Sequence, residues 1–169
     1  MPRHFTPRGA LLWLLLFLAT PLLAAPKVDP HAFVEQAVVA RAVDIKAVQL
    51  ALRQSQSADV KTFAQQVIDH HPRENADLQA FARSRTVTVP ADEDLQAQAE
   101  PELRELAGDD FDALYADQQV RRYESSLALY TDAAEQGDEE LQAFARAKLP
   151  VLKHHLQMAR MLNRAHPLS

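Results

Sequence analysis

The chain of 169 residues has no cysteine and only three glycines. Without thiols it can hold no disulfide framework, no thiolate metal site and no cysteine nucleophile. There is no glycine-rich phosphate loop, and no serine pairs with a histidine and an acid in a nucleophile motif. Few stretches carry the β-branched and aromatic residues that strands favour. Basic charge is also short, with 18 Lys and Arg against 23 Asp and Glu. The cationic contacts that drive nucleic-acid binding are therefore missing. Long apolar runs are confined to one, at the amino terminus. What dominates instead is Ala, Leu, Gln, Glu, Asp and Arg, mostly good helix formers.

The amino terminus reads as a targeting segment. Arg3 and Arg8 precede an apolar run from Ala10 to Ala19, and Pro21 and the small residues Ala24 and Ala25 follow. A basic start, a short apolar centre and a small-residue end make a secretory signal peptide. The expected signal is residues 1–24, with cleavage after Ala24 and a periplasmic destination. The competing reading is a retained anchor. It is weakened by Pro21 and by a run shorter than the roughly 20 residues a bilayer span needs. No cysteine follows for lipid attachment, and no later segment is apolar enough to cross a membrane. Removal of Arg3 and Arg8 leaves 16 basic against 23 acidic residues, a net charge of −7.

The remainder reads as one domain of four long helices, at about 30–55, 58–85, 110–136 and 138–165. Asp29-Pro30 is an N-cap acid with proline at the first helical position. Val34, Val38, Arg41, Ile45, Val48 and Leu52 form the first seam, with Arg41 its one polar break. The second helix carries Val60, Phe63, Ala64, Val67, Leu78, Phe81 and Ala82, and ends before the β-favouring Thr86–Pro90. A long connector follows, with a short helix expected at Pro101–Ala107 and Asp92-Glu93-Asp94 in a solvated loop. Such a crossover is a known bundle topology. The third helix has a seam of Ala113, Ala116, Val120, Tyr123, Leu127, Tyr130 and Ala134, closed by Gly137 as a C-terminal stop. Tyr115, Tyr123 and Tyr130 are expected to be packing residues. Asp138-Glu139-Glu140 open the fourth helix with acids at the positive end of its dipole. Pro72 and Pro150 fall inside helices and cost roughly 3 kcal/mol each or force a kink. The second helix is thus open to a break near His71.

A faint repeat links the second and fourth helices. Val60-Lys61-Thr62-Phe63-Ala64 resembles Leu141-Gln142-Ala143-Phe144-Ala145, and each is followed by a His-His pair. At about 100° per residue, His70 and His155 return to the faces of Phe63 and Phe144. Two hairpins related by a pseudo-twofold axis would each present one histidine inward and leave His71 and His154 in solvent. Asp44 projects along the core-facing flank of the first helix, Tyr123 lies on the third seam and Glu124 flanks it. A carboxylate, two imidazoles and a phenol or second carboxylate converging mid-bundle would make a metal site. The candidate ligands are Asp44, His70, Tyr123, Glu124 and His155, suited to iron, zinc, copper or manganese. The competing reading is a buried polar pair of Asp44 with a histidine. The di-iron signature, Glu-x-x-His on two helices, is absent because Val67 and Leu152 stand three residues before His70 and His155.

Several elements follow in order: Phe33-Val34-Glu35-Gln36-Ala37, Val60-Lys61-x-Phe63-Ala64, Asp69-His70, Gly108-x-x-Phe111-Asp112-x-x-Tyr115 and Leu149-Pro150-x-Leu152-x-x-His155-Leu156. With them the chain resembles an uncharacterised ferritin-like family of bacterial envelope proteins, a domain of unknown function often labelled as outer-membrane or exported. The resemblance implies a ferritin-like four-helix bundle, exported, without an established activity. That family typically has glutamate where this chain has Asp44 and histidine where it has Tyr123, so one ligand arm is shortened and another replaced.

The first functional expectation is thus an exported ferritin-like bundle that binds a metal or small ligand in an envelope or stress role. The second is a purely structural or protein-interaction bundle, with an envelope protein partner or a homodimer. A metal-dependent oxidoreductase comes third, since the carboxylates are too few.

Overall fold

The computed structural model describes residues 28–104, 106 and 110–168. The expected signal peptide, residues 105 and 107 of the expected short helix, and Gly108 lie outside the described residues. Every regular element among the described residues is a helix: α1 (Pro30–Gln54), α2 (Ala58–Ser84), α3 (Asp92–Arg104), α4 (Phe111–Gln136) and α5 (Glu139–Ala165). The fold is the ferritin-like four-helix bundle of α1, α2, α4 and α5. Its long crossover from α2 to α4 carries α3.

The helices start where their caps dictate. Asp29 accepts from the amides of His31 and Ala32, at 3.4 and 3.1 Å, ahead of Pro30. Asp138 accepts from the Leu141 amide at 2.9 Å, and its two oxygens also take a forked pair of hydrogen bonds from Arg85 at 2.7 and 2.6 Å. The end of α2 is thereby tied to the start of α5. At Gly137 the φ of −68° is one that any residue adopts. Glycine is needed there for space, because a Cβ would stand 2.6 Å from the Ala133 carbonyl oxygen and 2.8 Å from Leu141 Cγ. Gly137 ends α4 as expected, and a left-handed residue is found instead after α2, at Thr86 with φ 56°. There the Val87 amide closes back on the Ala82 carbonyl at 2.9 Å, in the manner of a Schellman turn.

α2 runs unbroken through Pro72, and α5 through Pro150. Both rings lie on exposed faces, where water can serve the carbonyls that proline leaves without a donor. The crossover differs from expectation. Its helix begins at Asp92 rather than Pro101, and Asp92-Glu93-Asp94 form its first turn. Acids suit that end of a helix, and the stripe Leu95, Ala99 and Leu106 is buried, with α3 packed along α1.

α1 and α2 form one hairpin, α4 and α5 the other. They meet through α1 on α4 and α2 on α5. The Val28 amide donates to the Gln136 carbonyl at 3.2 Å, so α1 starts where α4 ends. At that end Phe33 sits edge-on to Phe81, Tyr130 and Phe144, with ring centroids 6.4, 5.0 and 6.2 Å away, and Phe81 stacks on Phe144 at 4.4 Å. Phe63 packs against Tyr115 and Tyr123 further along. On α1 the buried face is Phe33, Val34, Ala37, Val38, Val43, Asp44, Ala47, Val48 and Ala51. Ile45 and Leu52, expected in the seam, are half-buried flanks.

Candidate functional site: a polar layer across the bundle

Between the two aromatic groups the bundle interior turns polar. Asp44 is buried on α1, and its Oδ1 accepts from Arg122 Nε of α4 at 3.1 Å. Arg122 also donates from Nη2 to the Ala40 carbonyl at 2.7 Å. A turn earlier on α1, Arg41 meets the buried Glu74 of α2 at 2.6 Å. Burial alone would lower the Arg41 pKa; Glu74 first, then Asp44, Tyr130 and Tyr123, outweigh it and raise it. Two arginines and two carboxylates thus neutralise each other in pairs within the interior.

The histidines come from α2 and α5. His155 is fully buried, and its Nε2 lies 3.1 Å from Nδ1 of His70, with the two rings stacked 5.4 Å apart. Desolvation pulls the His155 pKa down to about 4, Asp44 opposing and His70 reinforcing the shift. His155 is therefore neutral near pH 7, with its Nδ1 buried and without a hydrogen-bond partner. Tyr123 packs its ring 5.3 Å from that of His155. Burial, then the nearby Asp44, raises the pKa of the Tyr123 phenol well above its ordinary value. Its hydroxyl, like that of Tyr115, is buried with no hydrogen-bond partner.

Of the five candidate ligands, Asp44, Tyr123 and His155 are buried, and His70 reaches His155 from an exposed position. Glu124 is not drawn in: it lies on the surface, paired with Arg160 at 2.8 Å. His154 is exposed as expected, but His71 is not. It is half-buried, its Nδ1 has no hydrogen-bond partner, and desolvation followed by Arg41 lowers its pKa to about 4. Phe63 marks only the edge of the α2 stripe. The stripe's centre, Val60-Ala64-Val67, leads at helical steps to His71, Glu74 and Leu78. Glu74 and Gln119 are interior residues that the sequence reading missed. Both had a legible signal, Glu74 at seven residues from Val67 and Gln119 midway between Tyr115 and Tyr123.

The donor chemistry separates two classes of cation. Hard ions need carboxylates, and Asp44, Glu74 and Glu124 each have an arginine partner. Among the described residues no group of three or more His, Cys, Asp or Glu is arranged to hold a metal ion. The imidazole pair suits a softer, nitrogen-seeking ion.

The helical architecture and the order of its elements define a ferritin-like bundle. The chain belongs to the family described as Domain of unknown function (DUF4142), whose model matches residues 18–162. No curated protein and no solved structure matches it. No helix among the described residues is long and apolar enough to cross a membrane.

Proposed function

We propose that this protein is an exported, periplasmic binding bundle of the envelope, whose ligand is a late transition-metal ion held at the His70–His155 pair. The observation that carries the reading is the 3.1 Å contact between ring nitrogens of helices from different hairpins. Metal–imidazole bonds are about 2 Å long, so two nitrogens sharing a tetrahedral ion stand about 3.3 Å apart. His70 is exposed, so a small rotation of its ring provides the difference. Tyr123 and Asp44 then act as neighbours that keep His155 in place and bias its charge, rather than as ligands. The signal-like amino terminus supports export, with a mature chain beginning at Ala25. Catalysis is not part of the reading, since no nucleophile or carboxylate set accompanies the pair.

The test is metal retention. Purified protein equilibrated with Zn(II), copper or Fe(II) and freed of excess should keep one equivalent of zinc or copper and lose it in His70→Ala and His155→Ala variants. Retention of none would overturn the metal reading. Oxygen consumption on adding Fe(II) would instead point to an oxidoreductase. The second reading, a structural or interaction bundle, is favoured by the two arginine–carboxylate pairs, which balance the buried charges without any ligand. Cell fractionation and amino-terminal sequencing test the export.

A further inference from the structure

The imidazole pair does not stand alone on its face of the molecule. A groove of about 480 Å³ runs between α2 and α5, lined by Phe63, Gln66, Met158, Met161 and Leu162 among others. Gln66 lies one turn before His70, and Met158 lies three residues after His155, so the groove's lining stops about one helical turn from the pair on the same two helices. Residues three or four apart are neighbours on a helix surface, which gives α5 a stripe of His154, Met158 and Met161 beside the buried His155. Met158 is half-buried, whereas Met161 is 50% exposed, an unusual position for a large apolar side chain. Thioether and imidazole donors together select Cu(I). Three rotatable bonds let a methionine sulfur swing onto a neighbouring site.

We infer that the α2–α5 face is a Cu(I) site, with His70 and His155 as nitrogen ligands, Met158 as the thioether ligand and Met161 as the residue that receives the ion at the surface. This rests on the imidazole-pair reading above and names its ion. Two features of the surroundings agree with it. The nearby carboxylates are held by arginines, which removes the donors that would favour iron or manganese. Donors also run from the exposed Met161 through the half-buried Met158 to the buried His155, giving the ion a path from solvent into the bundle.

The experiment is an anaerobic titration of the full chain with Cu(I), buffered by a chromophoric chelator, alongside a Zn(II) titration. Wild-type protein should take up one Cu(I). The Met158→Leu variant should bind Cu(I) about tenfold or more weakly, with Zn(II) affinity held to within about a factor of two, because only the soft ion uses sulfur. X-ray absorption should show a copper–sulfur distance in wild type that Met158→Leu lacks. Cu(I) binding that is unchanged in Met158→Leu/Met161→Leu, but lost in His70→Gln, overturns the thioether site and leaves the imidazole reading standing. Failure to retain either ion overturns both. His70 is exposed, so His70→Gln separates ligand loss from unfolding, with thermal melting as the control.

Discussion

Two neighbouring regions of the same bundle are built on opposite principles. At the end where α1 begins, Phe33, Phe81, Tyr130 and Phe144 interlock edge to face and face to face. That region gains from area removed from water and from ring geometry, and its only requirement is shape. The layer beyond it contains Arg41, Asp44, Glu74, Arg122 and His155, where each group depends on a named partner. Burial of an ion pair is weakly stabilising at best, whereas loss of one partner is costly. The aromatic end therefore supplies stability, and the polar layer consumes some of it in exchange for defined chemistry.

Mutations can break that contrast or sharpen it. The largest effect is expected from Phe33→Ala, which removes a fully buried ring with three aromatic neighbours and should cost about 4 kcal/mol in denaturant unfolding. Next is Asp44→Ala, which removes the buried carboxylate that faces Arg122 and should cost about 3 kcal/mol. The double change Asp44→Leu/Arg122→Leu should recover most of that loss. If Phe33→Ala could be rescued equally well by a change at one neighbour, the distinction between the regions would fail.

Acid should act on the polar layer and leave the aromatic end untouched. His155 stays neutral in the fold down to about pH 4, while an unfolded histidine takes its proton near 6.5. Between those values the unfolded chain binds the extra proton, so stability complete above pH 6.5 is lost as pH falls through 4. The loss is about 3 kcal/mol for His155, and His71 acts in the same direction. A His155→Gln variant should show a flatter dependence of Tm on pH over this window, and Phe33→Ala an unchanged one. The smallest effect belongs to Tyr123→Phe. Its hydroxyl has no hydrogen-bond partner, so its removal should change stability by less than about 1 kcal/mol.

The long helices were legible because caps and apolar periodicity agree in them. The expected spans end within one residue of α1, α2, α4 and α5. The start of α3 is hidden because its acidic first turn looks like a solvated loop, and because only burial against α1 identifies Leu95 and Ala99 as a stripe. Within the site, Asp44 and His155 were visible as polar residues on apolar faces. His70, the partner of His155, was visible too, but Arg122 was not, since the Asp44–Arg122 pair joins residues 78 apart. Arg41 stands out as a break in a seam, whereas Glu74 opposite it shows only through its seven-residue spacing from Val67. Seam registers anchored on a single aromatic residue drift by the width of one side chain, enough to exchange His70 for His71.

The short Gly137-Asp138 link between α4 and α5 has a consequence for the order of assembly. Each hairpin can close through local contacts, which form quickly, and the two must then dock through contacts distant in sequence, which form slowly. Tyr123 and His155 meet within one hairpin, but His70 reaches His155 across 85 residues. An ion gripping both imidazoles would therefore act as a clasp on the finished tertiary structure, slowing the separation of the halves without hastening the birth of either.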